Sequence, residues 1–273
     1  MIYNGFLLEL ATCPPAWYTT RQKCLFEALD RLGEERLFTT SPYMIVAIHQ
    51  PHYLPWLGYL DKLDRADAFV VLDTVQFVRR EHQNRNRIRT ADGWTWLTVP
   101  VKSAYKAPLL DITIDNEQTW SRKHLQALKL NYSRAPHFME HLSFLTDTYA
   151  KLWPKLVELC LHTLTYLKEA FGVATPVYLA SSFETRQEPT ARLIDLCKAM
   201  EADTYLAGVG GRNYMDMKMF EEAKIAVEFQ KFTHPVYPQC FEPFEPGMAA
   251  IDLLFNCGRG GFELVRRARE NFQ

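Results

Sequence analysis

The stretch His49-Gln50-Pro51-His52-Tyr53-Leu54-Pro55-Trp56-Leu57-Gly58-Tyr59 gathers imidazole, amide, phenol and indole groups within eleven residues. Imidazole exchanges a proton near neutral pH, which makes His49 the candidate general base. Gln50, Tyr53 and Trp56 would then line a substrate. The competing reading is a proline-stiffened loop whose aromatic rings pack on the core. A metal pair at His49 and His52 is disfavoured, because Pro51 stands between them and no third ligand follows at a telling distance. A second group begins at Asp73-Thr74-Val75-Gln76-Phe77 and continues into Arg79, Arg80, Arg85, Asn86, Arg87 and Arg89. A guanidinium is a planar fork suited to carboxylate or phosphate, so part of this cluster can grip an anionic substrate group. Asn86 and Arg87 are favoured, with Asp73 and Gln76 beside them. The alternative is a solvated charged hairpin.

Two further stretches belong to the same set. Tyr205 to Tyr214 reads as strand, glycine turn and helix start. Gly210 and Gly211 would let backbone N–H groups approach an anion at a helix N-terminus, with Arg212 as a fork and Tyr214 nearby. Tight strand–helix turns also need glycine for geometry alone. In His234-Pro235-Val236-Tyr237-Pro238-Gln239, two prolines fix the directions of His234, Tyr237 and Gln239, and His234 is the second catalytic candidate. A surface connection made stiff by proline is the plainer reading. The chain has no nucleophile elbow, P-loop or full Rossmann glycine signature. None of its six cysteines stands where a lowered thiol pKa is expected.

These stretches follow short apolar runs that read as buried strands: 44–48, 68–72, 177–180, 204–207 and 225–229. The segment 56–65 has helical spacing, so strand, helix and strand form a βαβ unit and favour a parallel sheet. The middle predicts strands at 95–101 and 110–114, a helix over 119–130 capped by Thr119 or Ser121, and a long helical pattern over 144–171 broken near Pro154. Helices are predicted over 189–200, from the glycine turn to about 223, over 252–256 and over 262–269. The expected fold class is α/β, a mostly parallel central sheet flanked by helices with an additional α-helical and β-hairpin middle segment. Loops at the carboxyl ends of such a sheet gather on one edge, so His49, Tyr53, Gln76, Arg87, Arg212 and His234 are expected within one ligand's reach.

Composition sets the bounds. The 273 residues are 48% hydrophobic and 23% charged, enough for a large core. A net charge of -1 gives no global case for nucleic acid or an anionic membrane as partner. The expected partner is a small, anionic substrate. No apolar run approaches the ~20 residues of a membrane span. Cys13, Cys24, Cys160, Cys197, Cys240 and Cys257 form no C-x-x-C pair and suit free thiols in a reducing cytoplasm. Residues 1–43 differ in composition from the rest and read as a poorly ordered extension, with the domain running over 44–273.

The blocks together resemble the WbqC-like protein family. They are His49-Gln50-Pro51 with Tyr53-Leu54-Pro55-Trp56, Gly58-Tyr59 and Lys62; Leu72-Asp73 with Gln76-Phe77; Arg85 to Ile88; Trp94 to Val101; Leu130-Asn131-Tyr132; Gly208 to Tyr214 with Asp216; His234-Pro235 with Tyr237-Pro238-Gln239; and Ile251 to Asn256. The resemblance runs from Met44 nearly to the C-terminus. It implies a bacterial protein tied to surface-polysaccharide genes such as O-antigen clusters, where glycine transfer to a sugar has been suggested, and it names no cofactor. Ala207 and Ala249 stand where the family is expected to carry Ser. A fainter likeness to nucleotidyltransferases, whose first helix opens on His-x-Gly-His, meets Trp56-Leu57-Gly58-Tyr59 here, without either histidine. The expectation is therefore an acyl or aminoacyl transferase acting on an amino sugar or nucleotide sugar. A nucleotidyl- or other group-transfer enzyme and a non-catalytic binding subunit are the alternatives.

Overall fold

Strand β1 (Ile45–His49) forms the centre of the molecule, because Val46, Ala47 and Ile48 leave water entirely and suit a strand covered on both faces. The computed structural model describes residues 43–102 and 106–270, within one compact unit, Tyr43–Gln273. The expectation for the preceding residues lies outside the described ones. After β1 come helix α1 (Leu57–Asp64) and strand β2 (Ala68–Val71). Strands β3 (Arg85–Thr90) and β4 (Gly93–Thr98) make a hairpin, and β5 (Val101–Lys102) pairs with β6 (Thr113–Ile114). Helices α2 (Trp120–Tyr132), α3 (Phe138–Ala150) and α4 (Leu156–Ala170) complete the middle. The last third holds β7 (Val177–Leu179), α5 (Pro189–Ala199), β8 (Thr204–Ala207), α6 (Met217–Glu222), β9 (Ala226–Phe229), α7 (Ile251–Cys257) and α8 (Phe262–Glu270).

The main sheet has the order β7-β2-β1-β8-β9, and every pairing is parallel. Residue parity along the strands divides the core. Ala47, Phe69, Val71 and Leu206 face α1 and the middle helices, while Val46, Ile48, Ala68, Val70, Tyr205 and Ala207 face α5 and α6. The chain starts at β1, builds outward through β2 to β7, then returns to the other side of β1 for β8 and β9. Winding reverses between β1 and β8, and in open α/β sheets the crevice beyond the carboxyl ends at such a reversal is where ligands bind. The sequences leaving those ends are His49 onward and Gly208 onward.

Several local expectations need correction. Leu109–Asp111 is a helical turn, so only Thr113–Ile114 of the expected 110–114 strand pairs. Thr119 occupies the N-cap of α2, but its side chain makes no capping bond. No long helix starts at the glycine turn. Val209–Asn213 is a single helical turn, and α6 starts at Met217, where the Asp216 carboxylate accepts from Lys218 N. Asp and Asn compete well for the N-cap, which explains the later start. The break between α3 and α4 holds Pro154, as the pattern over 144–171 predicts.

Helix α1 is fixed from both ends. Arg266 and Arg269 of α8 bind Asp64 at 2.7 and 2.8 Å, and Arg269 also reaches the buried Asp61. Gln230, just past β9, donates to Gly58 O at 2.8 Å and to Asp61 Oδ2 at 2.6 Å. A buried carboxylate must keep such donors or lose several kcal/mol, about 3–5 for a broken buried pair. These bonds set α1 against α8 and the end of β9. Gly58 allows the same approach at the start of the helix, because a Cβ there would collide with the Trp56 ring.

Candidate functional site

His49 is the last residue of β1. Its O accepts from Leu72 N at 2.8 Å, and its Nδ1 lies 3.1 Å from Gln50 O. A carbonyl can only accept, so Nδ1 carries the proton and the Nε2 lone pair is bare. Nε2 has no hydrogen-bond partner among the described residues. His234 repeats the arrangement: Nδ1 bonds Pro235 O at 2.9 Å, and the buried Nε2 has no described partner.

Around His49 stand His52, ring to ring at 4.7 Å, and Tyr59 at 4.8 Å. His52 also stacks on His82 at 5.4 Å. Tyr59 Oη and His52 Nδ1 are buried without a described partner. Buried polar atoms usually find partners, so these two atoms are free to bond a water or a ligand. Beneath the cluster lies Lys62 on α1, 2% exposed, donating from Nζ to Ile48 O at 2.7 Å and lying 5.7 Å from the Tyr205 ring. No carboxylate pairs with it among the described residues.

Burial governs the electrostatics. It lowers Lys62 to about 7. It lowers His49 to about 3, with Lys62 pushing the same way. His52 falls well below its ordinary value for the same first reason, with His49, His82 and Lys62 adding to it. The His49 ring is therefore a neutral acceptor at physiological pH, with a pKa well below neutrality. The stability consequence has a definite sign. Between its folded and unfolded pKa each of these bases holds fewer protons folded than unfolded, so stability rises with pH across that interval. For His49 the interval is about 3 to 6.5, and its stabilisation is lost as acid is added. For Lys62 it is about 7 to 10.5. The urea midpoint should climb between pH 7 and 9, and Lys62→Met should flatten the climb; an unaltered slope in that variant would show that Lys62 is not buried as an amine.

A wall of rings and guanidinium groups continues the cluster. His82 lies 5.9 Å from Trp96, over which Arg85 sits at 4.2 Å. Arg87 lies 5.0 Å from the Trp94 ring and 6.0 Å from Trp96. Its charge adds to the burial that lowers both His82 and His234. Its guanidinium makes no hydrogen bond or ion pair among the described residues, and Nε is buried without a partner. It passes over Gly247, at φ +72, where a Cβ would collide with Nη2. Beyond it, His234 adjoins Phe232, Tyr237 and Phe244, and Phe232 meets Trp56 at 5.1 Å.

Thus His49, His52, His82, Trp96 and Arg87 belong to one chain of ring contacts, and His234, Phe232 and Trp56 form a second, which the charge of Arg87 reaches electrostatically. The other expected residues have different placements. Tyr53 turns into the core, its hydroxyl 2.5 Å from Tyr149 Oη and 3.0 Å from His124 Nδ1. Gln76 is exposed, and Arg212 is exposed over the Phe229 ring at 4.5 Å. No described hydrogen bond or ring contact ties either to the cluster. Gly210 and Tyr214 are exposed and Gly211 is buried against Met215. Asp73 accepts from Ser181 N and Oγ at 2.9 and 2.6 Å, joining the exits of β2 and β7. Gln50 accepts from Gln83 at 2.6 Å, and Gln83 from Val78 N, which holds the loop carrying His82. Asn86 is buried and donates to Leu54 O at 2.6 Å, supporting a leucine at φ +45. Tyr237 and Gln239 both donate at 2.8 Å to the buried carboxylate of Asp252, to which Tyr132 also donates at 2.7 Å.

Lys62, Tyr59, His82, Trp94 and Trp96 were not singled out as site residues from sequence. Only Tyr59 and Lys62 carried a usable sign, being one turn apart on the helix that leaves the first strand. Cys160 and Cys197 are buried free thiols whose pKa values burial raises, Cys197 to about 12, which fits the absence of thiol chemistry expected for them. Among the described residues no group of His, Cys, Asp and Glu is arranged to hold a metal ion, and no helix is long and apolar enough to cross a membrane.

Comparison with known proteins gives one family and one relative. The model of the WbqC-like protein family matches residues 50–263. The uncharacterized protein Rv1507c of Mycobacterium tuberculosis is 34% identical over 229 residues, covering 82% of this chain and 99% of that protein. No solved structure matches.

Proposed function

The chain belongs to the WbqC-like protein family, and from that premise we propose that it is a group-transfer enzyme, an acyl or aminoacyl transferase forming an amide on an amino sugar or nucleotide sugar of surface-polysaccharide synthesis. The observation that carries this reading is the bare Nε2 of a neutral His49 at the carboxyl end of β1, beside orphaned polar atoms on His52 and Tyr59 and joined by ring contacts to the unpaired Arg87. The acceptor amine attacks the acyl carbon, the new C–N bond forms, and the leaving group departs with its electron pair. His49 Nε2 takes the proton that the amine releases. An anionic substrate group held on Arg87 brings negative charge towards the histidines and raises their pKa, so the base strengthens only when substrate is seated. His234, whose Nε2 is likewise bare, is suited to accept a second proton when the amine arrives as an ammonium.

Native mass spectrometry of the purified full chain tests the ligand class. The wild type should retain or take up small carboxylate- or phosphate-bearing molecules from a panel of aminoacyl and sugar-phosphate compounds. Arg87→Gln should lose them with its thermal transition intact. Equal uptake by the variant would remove Arg87 from the site.

A further inference from the structure

The β3–β4 hairpin has two unlike faces. Asn86, Ile88 and Leu97 point into the core, whereas Arg85, Arg87, Arg89, Trp94 and Trp96 share the other face, with Arg87 opposite Trp96 and Arg89 opposite Trp94. The three arginines differ in what they are free to do. Arg89 is buried and spends its guanidinium on backbone carbonyls, including Gly93, Phe241 and Pro243. Arg85 lies over Trp96 and donates to the Arg80 carbonyl. Arg87 alone is held by rings, with no carboxylate and no carbonyl on its nitrogens among the described residues. Beside it Trp94 is 42% exposed, and its ring meets Trp96 edge to face at 5.7 Å and 81°.

A half-buried guanidinium whose Nε is buried without a partner thus lies beside an indole that is 42% exposed, and a ligand could use both. The pair offers a flat apolar surface and a phosphate fork side by side. A molecule with a planar ring one sugar away from a phosphate matches both features. A sugar phosphate matches only the fork. A polynucleotide would need a longer basic track than the single unpaired arginine among the described residues of this hairpin face provides, in a chain of net charge -1.

We propose that this face of the hairpin is a nucleotide subsite, in which the base stacks on Trp94 and a phosphate is held by Arg87. The donor or acceptor is thereby a nucleotide-linked compound, with its reacting end directed along the ring wall towards His82 and His49. This rests on the anion-holding role of Arg87 proposed above, but not on the role of His49.

The full chain can be titrated with uridine diphosphate, adenosine diphosphate, ribose 5-phosphate and inorganic phosphate, followed by calorimetry and by tryptophan fluorescence. At least one nucleotide should bind tenfold or more tightly than ribose 5-phosphate and quench fluorescence. Trp94→Ala should remove about a tenfold or greater preference while leaving phosphate binding unchanged, because base–aromatic stacking contributes on that scale. Trp94→Phe should restore most of it, and Arg87→Gln should weaken every phosphate compound. Nucleotide binding no tighter than ribose 5-phosphate would overturn the subsite while sparing Arg87 as an anion holder. Wild-type protein that binds none of the four would overturn both. A nucleotide preference unaffected by Trp94→Ala would place the base elsewhere and also overturn the proposal.

Discussion

Asp252→Ala should lower the unfolding free energy by about 3–5 kcal/mol, or leave the chain insoluble. The carboxylate is fully buried in α7 and takes hydrogen bonds from Tyr132, Tyr237 and Gln239 at 2.7 to 2.8 Å. Burial raises its pKa, while these donors and the charge of Arg89 pull the other way. Tyr132 Oη also accepts from Arg89 N at 2.9 Å, so hairpin, α2, α7 and the 234–239 loop meet at one carboxylate. Truncation strands the buried hydroxyls of Tyr132 and Tyr237 and takes one of two acceptors from the half-buried amide of Gln239. Tyr237→Phe, which removes one donor and no charge, should cost about 1 kcal/mol. Urea unfolding of both variants separates the outcomes. A loss below about 1 kcal/mol for Asp252→Ala would mean that the network is dispensable. Because the 234–239 loop carries His234, this network is also what aims the second imidazole.

The parallel sheet was readable because a strand covered on both faces is a continuous apolar run, as in Val46-Ala47-Ile48 and Ala68 to Val71. The hairpin closes on Asp92-Gly93, with Gly93 at φ +118. Residue type could not separate loop side chains that face a ligand from those that face the core. Tyr53 looked like a substrate contact, yet a buried phenol is satisfied by another phenol or an imidazole, here Tyr149 and His124, which lie 96 and 71 residues away. Tyr237 and Gln239 were drawn to Asp252 in the same way. Lys62 carried only a positional sign: lysine on a short helix normally points to water, and its bond to Ile48 O and its place beside the Tyr205 ring show that this one does not. His82 sits in a loop whose sequence gives no sign of its partner His52. Arg87 was expected from the basic cluster, but the feature that distinguishes it from Arg85 and Arg89 is which carbonyls each arginine reaches.

The most direct test of the account is turnover by His49→Gln. Gln keeps an amide donor for the Gln50 carbonyl but offers no basic nitrogen, and positioned general bases contribute about 10²–10⁴-fold. Purified wild type and variant would each be given an activated acyl or aminoacyl donor with a nucleotide-linked amino sugar, and the acceptor's mass followed over time. The account predicts that the wild type adds the acyl mass and that kcat falls by about 10²-fold or more in the variant, with its urea midpoint retained. Equal turnover by the folded variant would contradict the assignment of His49 as the group that takes the proton.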